Sequence, residues 1–219
     1  MAAASNDQEL HAVADMIIIA FFFLLWPGEY TCTKFDSSPF RLSDVTFSVS
    51  RTVFDTATST DNELAAAIFV ILIFSTQKIG VQGEKIGHRA TGDLMLYPKE
   101  SFWRRVMHLR QHSAPANTPL ACFKTPRGRW TNVTAIMITA HLKATVKLLA
   151  ETHQGFTYND VSARSLWAAS AMALLCSSIE NYIISLIGRW RSDKILRHIH
   201  VQAEPIMRNF STLMISHGN

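Results

Sequence analysis

The first readable period lies in residues 7–25, where Leu10, Val13, Ala14 and Ile17 recur at helical spacing. The run then turns apolar on all sides, as a buried helix does. Pro27-Gly28 ends it. Over residues 41–53 the period changes to two, with Leu42, Val45, Phe47 and Val49 alternating, which predicts a strand. Residues 68–76 are β-branched and aromatic and predict a buried strand. A polar link follows over 77–92, with Gly80, Gly83 and Gly87 read as turns because no helix opening on Lys-Ser/Thr follows them. A short strand is expected at 94–97. Pro98 suits a first helical turn, and Phe102, Val106 and Leu109 then lie near one face. Residues 113–118 read as a loop. Beyond it the pattern predicts a helix capped by Thr131 or Asn132 and running to about Glu151. A second helix is expected over 162–176, with Leu166, Ala169, Ala173 and Cys176 on one stripe, and a third over 179–187, closed by Gly188. Ser192-Asp193 would cap a last helix to about Gln202, ended by Pro205, with a packed tail at 210–214. After the first helix, the strands suggest a small antiparallel sheet, and from Pro98 onward the chain turns helical.

Two apolar runs, 16–26 and 64–74, are bounded by Asp15 and Glu63 and fall short of the roughly 17–25 residues a spanning helix needs. The first also lacks the basic flank of a signal peptide. Both are expected in the core, and no membrane partner is expected. With 219 residues, 48% hydrophobic and 17% charged, the chain can bury one sizeable core. The expected division is a frayed start at 1–7, a domain over 8–214 and a tail at 215–219.

Net charge is +4, which permits a polyanionic partner without requiring one. The cations cluster at Arg104, Arg105 and Arg110, at Arg127 and Arg129, and at Arg189, Arg191, Lys194 and Arg197. Such runs are by default solvated faces. Cys32, Cys122 and Cys176 are odd in number and widely spaced, so they form no disulfide framework and point to a reducing, intracellular compartment. The sequons at Asn132 and Asn209 are then chance matches. His108 and His112 stand four apart, but no HExxH or carboxylate companion accompanies them, so no metal and no cofactor is expected.

Four segments carry a resemblance. Phe22-Phe23-Leu24-Leu25-Trp26-Pro27-Gly28-Glu29-Tyr30 resembles the Arg-x-x-Glu box of the tyrosine recombinases, or integrases. Residues 71–78 and 94–98 resemble the hairpin that carries that family's lysine. Residues 160–175, containing Arg164-Ser165-Leu166-Trp167, resemble its His-x-x-Arg helix. Leu186-Ile187-Gly188-Arg189-Trp190 resembles its Leu-Gly-His/Trp box, and His198 stands nine residues after Arg189, near where the family places its tyrosine. The wording is similar to crypton-like integrases of protists, and the resemblance covers roughly residues 8–214. It implies a mostly helical α+β fold of the DNA breaking-rejoining type with a small antiparallel β-sheet. It also implies double-stranded DNA as partner, self-association on DNA as an option, and a nuclear location in a eukaryote. The family's separate helical DNA-clamping domain would precede the first box. With that box near residue 22, an isolated catalytic domain is expected.

In that family, tyrosine attacks a phosphodiester, two arginines clamp its oxygens, and lysine and histidine move protons. Here Trp26 takes the first arginine's place, Arg164 the histidine's, Trp167 the second arginine's and His198 the nucleophile's. Arg189 or Trp190 fills the Gly-His position, and Glu29 is retained. Lys78 matches the hairpin lysine, with Lys85 second. Each lost charge-stabilising donor costs about 10²–10³ in rate, so the chain is expected to bind DNA without cutting it. One alternative is an active recombinase that uses His198 as nucleophile and Arg164 in the clamp. Another is a small helical membrane or scaffold protein. On local pattern alone Trp26 and Trp167 are core aromatics, and His198 is an ordinary histidine beside Ile195 and Ile199. Two expectations follow from the resemblance. Trp26, Arg164, Trp167, Arg189 and His198 should line one concave surface. Lys78, Arg127, Arg129, Arg164, Arg189 and Arg191 should form one basic face.

Overall fold

The structure is a computed structural model and describes residues 2–32, 38–75, 83–89, 96–149 and 157–190. The N-terminal pattern forms helix α1 (Ala2–Phe22), which starts earlier and ends earlier than its period predicts. Val13, Met16, Ile19, Ala20 and Phe23 are buried along it. The helix closes with Leu24 in the left-handed region at φ 50 and with Leu25 N–H bonded to Ala20 O at 3.0 Å. That position usually takes glycine. Pro27, expected to break the helix, lies beyond that end and instead opens a one-turn helix, α2 (Pro27–Tyr30).

Among the described residues, the main sheet has four antiparallel strands in the order β2-β1-β3-β4. They are β1 (Val45–Val49), β2 (Thr52–Asp55), β3 (Phe69–Phe74) and β4 (Glu84–Arg89). The single strand expected over 41–53 is instead a short turn and parts of two strands. A 3-10 turn (Leu42–Asp44) leads into β1, and the chain reverses at Ser50, φ 52, so that Val49 pairs with Thr52. Ser50-Arg51 carries no Asn-Gly signal, and alternation continues across so short a turn. The link to β3 holds a helix the pattern did not predict, α3 (Asp61–Ala66). Thr60 and Glu63 cap it reciprocally, with Glu63 Oε2 accepting from Thr60 N–H at 2.7 Å.

The polar link expected over 77–92 contains β4, which pairs with β3 from Phe74–Glu84 to Phe69–Arg89. Its inward positions are Glu84, Ile86 and His88, so only one is aliphatic, and the strand's alternation is hidden. His88 instead packs edge-on to Phe23 at 4.5 Å. Of the strand expected at 94–97, residues 94 and 95 lie outside the described residues; Leu96 and Tyr97 form no strand, because Tyr97 already caps the helix that Pro98 opens.

Helix α4 (Pro98–Gln111) begins as Pro98 predicts, and packs against both α1 and the sheet through Phe102, Val106 and Leu109. Two of its arginines are structural. Arg104 pairs with buried Asp15 of α1. Arg105 is buried and donates to Leu120 O and Cys122 O; burial lowers its pKa to about 10, so it stays charged at neutral pH. A hairpin then intervenes, β5 (Cys122–Lys124) and β6 (Trp130–Asn132), and delays the next helix, α5 (Ala135–Leu149), past its expected caps. Helices α6 (Ser165–Cys176) and α7 (Asn181–Ile187) match the expected spans within a turn. The packed face of α6 is not the expected one: Ala169, Ala173 and Cys176 are exposed, and Trp167, Ser170 and Ala171 are buried with Leu166, because the large Trp167 indole sets which side faces the protein. The helix expected from 192 and the tail at 210–214 lie outside the described residues.

The fold is α+β with a small antiparallel sheet. Residues of both apolar runs, such as Met16, Ile19, Leu64 and Leu72, lie in the main core. Among the described residues no helix is long and apolar enough to cross a membrane.

Candidate functional site

A second, smaller apolar cluster collects segments far apart in sequence: Leu24, Trp167, Ala171 and Ile184, with Trp26, Ile187 and Trp190 packed against them. Backbone devices at three element ends bring them together. At the first, Glu29 Oε2 accepts from Trp26 N–H at 2.9 Å and fixes the entry into α2. Tyr30 then donates its hydroxyl to Ala163 O at 2.9 Å, a buried bond that holds α2 against the start of α6. Trp167, in the first turn of α6, comes to lie on Trp26, with ring centroids 4.5 Å apart and planes tilted by 37°.

The end of α7 supplies the third segment. Trp190 meets Trp167 edge-on at 4.7 Å, and Trp190 N–H bonds Ser185 O at 2.9 Å. Gly188 was expected to close the helix with its own backbone freedom, but its φ is an ordinary −75°; the left-handed residue is Arg189, φ 58. Glycine is needed at 188 for space instead. A Cβ there would come within 2.8 Å of the Trp190 indole, closer than real contacts allow.

Arg189 turns inward. Its Nη2 donates to Glu29 Oε2 at 2.8 Å, its Nη1 donates to Ile187 O at 3.2 Å, and its guanidinium carbon lies 3.8 Å from the Phe74 ring centroid. The Arg189 side chain is 1% exposed and that of Glu29 10%, so this is a buried ion pair between residues near opposite ends of the described chain. Burial raises the Glu29 pKa, opposed by the Arg189 charge; burial also lowers that of Arg189, opposed by Glu29 and then Glu84. Arg189 Nε and Trp190 Nε1 are buried without a hydrogen-bond partner among the described residues, a cost of about 1–3 kcal/mol each.

The sequence-predicted residues therefore divide. Trp26, Trp167 and Arg189 converge, joined by Glu29 and Trp190. Arg164 is exposed at the N-cap of α6 and is not part of the cluster. Arg127 and Arg129 are exposed on the β5–β6 hairpin, and Lys85 is exposed on β4. Lys78, Arg191 and His198 lie outside the described residues. Arg189 was expected on a DNA-facing surface; its guanidinium is instead buried against Glu29 and Phe74. His108 Nε2 accepts the Lys124 N–H at 3.0 Å, which occupies one of the two histidines spaced like a metal pair. No group of three metal-ligating side chains occurs among the described residues.

Sequence reasoning missed Phe74 as the surface beneath Arg189. An apolar strand end gives no sign that a cation will settle on it. The Glu29–Arg189 pair had a weak signal: each charge sits among apolar neighbours, where an ionised group needs a partner. Chemically the cluster presents indole faces where a phosphate clamp would need permanent charge, and its one guanidinium is already neutralised. No protein-family model matches the chain, and no curated protein matches it.

Proposed function

We propose that this chain is a DNA-binding protein of the tyrosine-recombinase type whose phosphate clamp has been replaced by packed indoles, so that it binds duplex DNA without cleaving it. One observation carries the reading. Three segments that resemble the family's arginine box, His-x-x-Arg helix and Gly-His/Trp box meet in one cluster, although Trp26 and Trp167 are 141 residues apart (167 minus 26). A chance likeness in scattered segments gives no reason for them to touch. The same contacts argue against cleavage, because Trp26 and Trp167 bring no charge and Arg189 is held by Glu29.

Binding would fall to the exposed cations, Arg127, Arg129 and Arg164, together with Lys78 and Arg191. Each phosphate neutralised on a duplex contributes about −0.9 to the slope of log affinity against log salt. Titration of a random-sequence duplex over a salt series tests this. The expected result is weak, sequence-poor binding, with a slope that flattens by about 2 in Arg127→Ala/Arg129→Ala. Binding that ignores salt, or that the double variant leaves unchanged, would overturn the reading.

A further inference from the structure

Charge and aromatic surface coincide a second time on the β5–β6 hairpin. Its tip is tightly built: Gly128 N–H bonds Thr125 O at 2.8 Å, Thr125 N–H bonds Arg129 O at 2.8 Å, and Arg129 N–H also reaches Thr125 Oγ1 at 3.2 Å. Pro126 suits the second position of the turn, and Gly128 takes the left-handed position after it, φ +75. A Cβ at Gly128 would meet nothing, so the backbone alone asks for glycine there. The strands are fixed to the body through Lys124 N–H on His108 and Arg105 on Leu120 O and Cys122 O.

This rigid tip presents Lys124, Arg127 and Arg129, and no acidic residue occurs between positions 119 and 134. Beside them Trp130 is 42% exposed. It pairs across the strands with Lys124, whose Nζ lies 5.9 Å from its ring, and it is braced by His108 and His112, edge-on at 6.4 and 6.0 Å. Burial lowers the His108 pKa to about 4, helped by Arg105 and then His112, so the His108 ring is neutral at physiological pH.

We infer that the hairpin is a binding site for an unpaired stretch of nucleic acid, with Trp130 stacking on one base and Lys124, Arg127 and Arg129 holding the flanking phosphates. A lone exposed tryptophan would say little; one set among three cations on a preorganised turn has the composition of a stacking platform. Duplex bases offer only their edges in the grooves, so the indole face needs a base freed from its stack. The inference rests on the chain binding nucleic acid, and adds to it a preference for an overhang or gap.

The full chain is titrated against a blunt duplex, the same duplex with a short single-stranded overhang, and oligothymidylate. The overhang is expected to raise affinity on the order of tenfold, the scale of one base–aromatic stack. Trp130→Ala should remove that gain and leave blunt-duplex binding unchanged, while Trp130→Phe keeps most of it. Equal affinity for blunt and overhang duplexes, or a gain that survives Trp130→Ala, would overturn the inference and leave the duplex reading standing. Trp130-dependent binding of oligothymidylate without any duplex binding would do the reverse. Binding of polyglutamate with no nucleic acid bound would overturn both and make the tip a site for an acidic protein.

Discussion

Arg189 and Glu29 hold the only paired charges inside the indole cluster among the described residues. A buried ion pair gains little over an apolar pair of the same shape, yet breaking one side of it is costly. Arg189→Met leaves the Glu29 carboxylate buried with only Trp26 N–H as its remaining described partner, and is expected to destabilise the fold by about 3–5 kcal/mol at neutral pH. Glu29→Gln in the same chain should recover most of that loss, since an amide oxygen can still accept from Trp26 N–H. The pH dependence has a definite sign. Burial already raises the Glu29 pKa above its ordinary value, and losing Arg189 raises it further. The folded state of Arg189→Met therefore takes up a proton before the unfolded state does. Its deficit shrinks as pH falls through that raised pKa toward the ordinary carboxylate range. Urea denaturation of the single and double variants across pH checks this; a deficit that grows on acidification contradicts it.

Among the described residues, four helices end on a non-glycine residue in the left-handed region: Leu24 after α1, Ser113 after α4, Ser178 after α6 and Arg189 after α7. Each end carries the same pair of reversed backbone bonds, as in Ile179 N–H to Leu174 O at 3.1 Å and Ser178 N–H to Leu175 O at 2.9 Å. The strain differs in what offsets it. Leu24 is buried in the indole cluster and Arg189 is held by Glu29, whereas Ser178 is exposed. Ser178→Gly is therefore expected to stabilise the chain by about 0.5–1 kcal/mol, the relieved backbone strain less glycine's entropy. Leu24→Gly relieves the same dihedral but deletes a buried side chain, and should cost about 2–5 kcal/mol. Denaturation midpoints of the two variants should move in opposite directions. These ends also show what local pattern could reveal. Of the long helices, α4 was legible in both position and face, because Phe102, Val106 and Leu109 are buried and Pro98 marks its start; α1 and α6 were legible as helices, but Leu10 and Ala14, and Ala169, Ala173 and Cys176, expected on the packed stripes, are exposed. The hairpins were not. Ser50-Arg51 lacks turn chemistry, and β4 turns a glutamate and a histidine inward. The β5–β6 strands are three residues each, too short to show a period. Pro126 and Gly128 were the signal available there, flanking a turn whose cations drew attention first.

At the scale of the molecule, Trp26, Trp167 and Trp190 touch only because α1, α6 and α7 pack together, and nothing local to any one of them specifies that contact. The resemblance supplied an ordering of segments, and the structure brings three of them into one cluster while leaving Arg164 on the surface. Lys78 and His198 lie outside the described residues, so chemistry must decide whether the remaining groups act as a unit. Missing catalytic groups are non-additive: supplying one leaves the others limiting. On the proposed reading, His198→Tyr would supply a nucleophile without a clamp. Trp26→Arg and Trp167→Arg would supply clamp charges without a nucleophile, and each places a guanidinium in an apolar cluster without a ready partner. The direct measurement is incubation of the parent chain and of each single variant with a nicked suicide duplex, read as covalent protein–DNA adduct on a denaturing gel. The account predicts no adduct from any of them; an adduct from the parent chain that His198→Ala abolishes would contradict it.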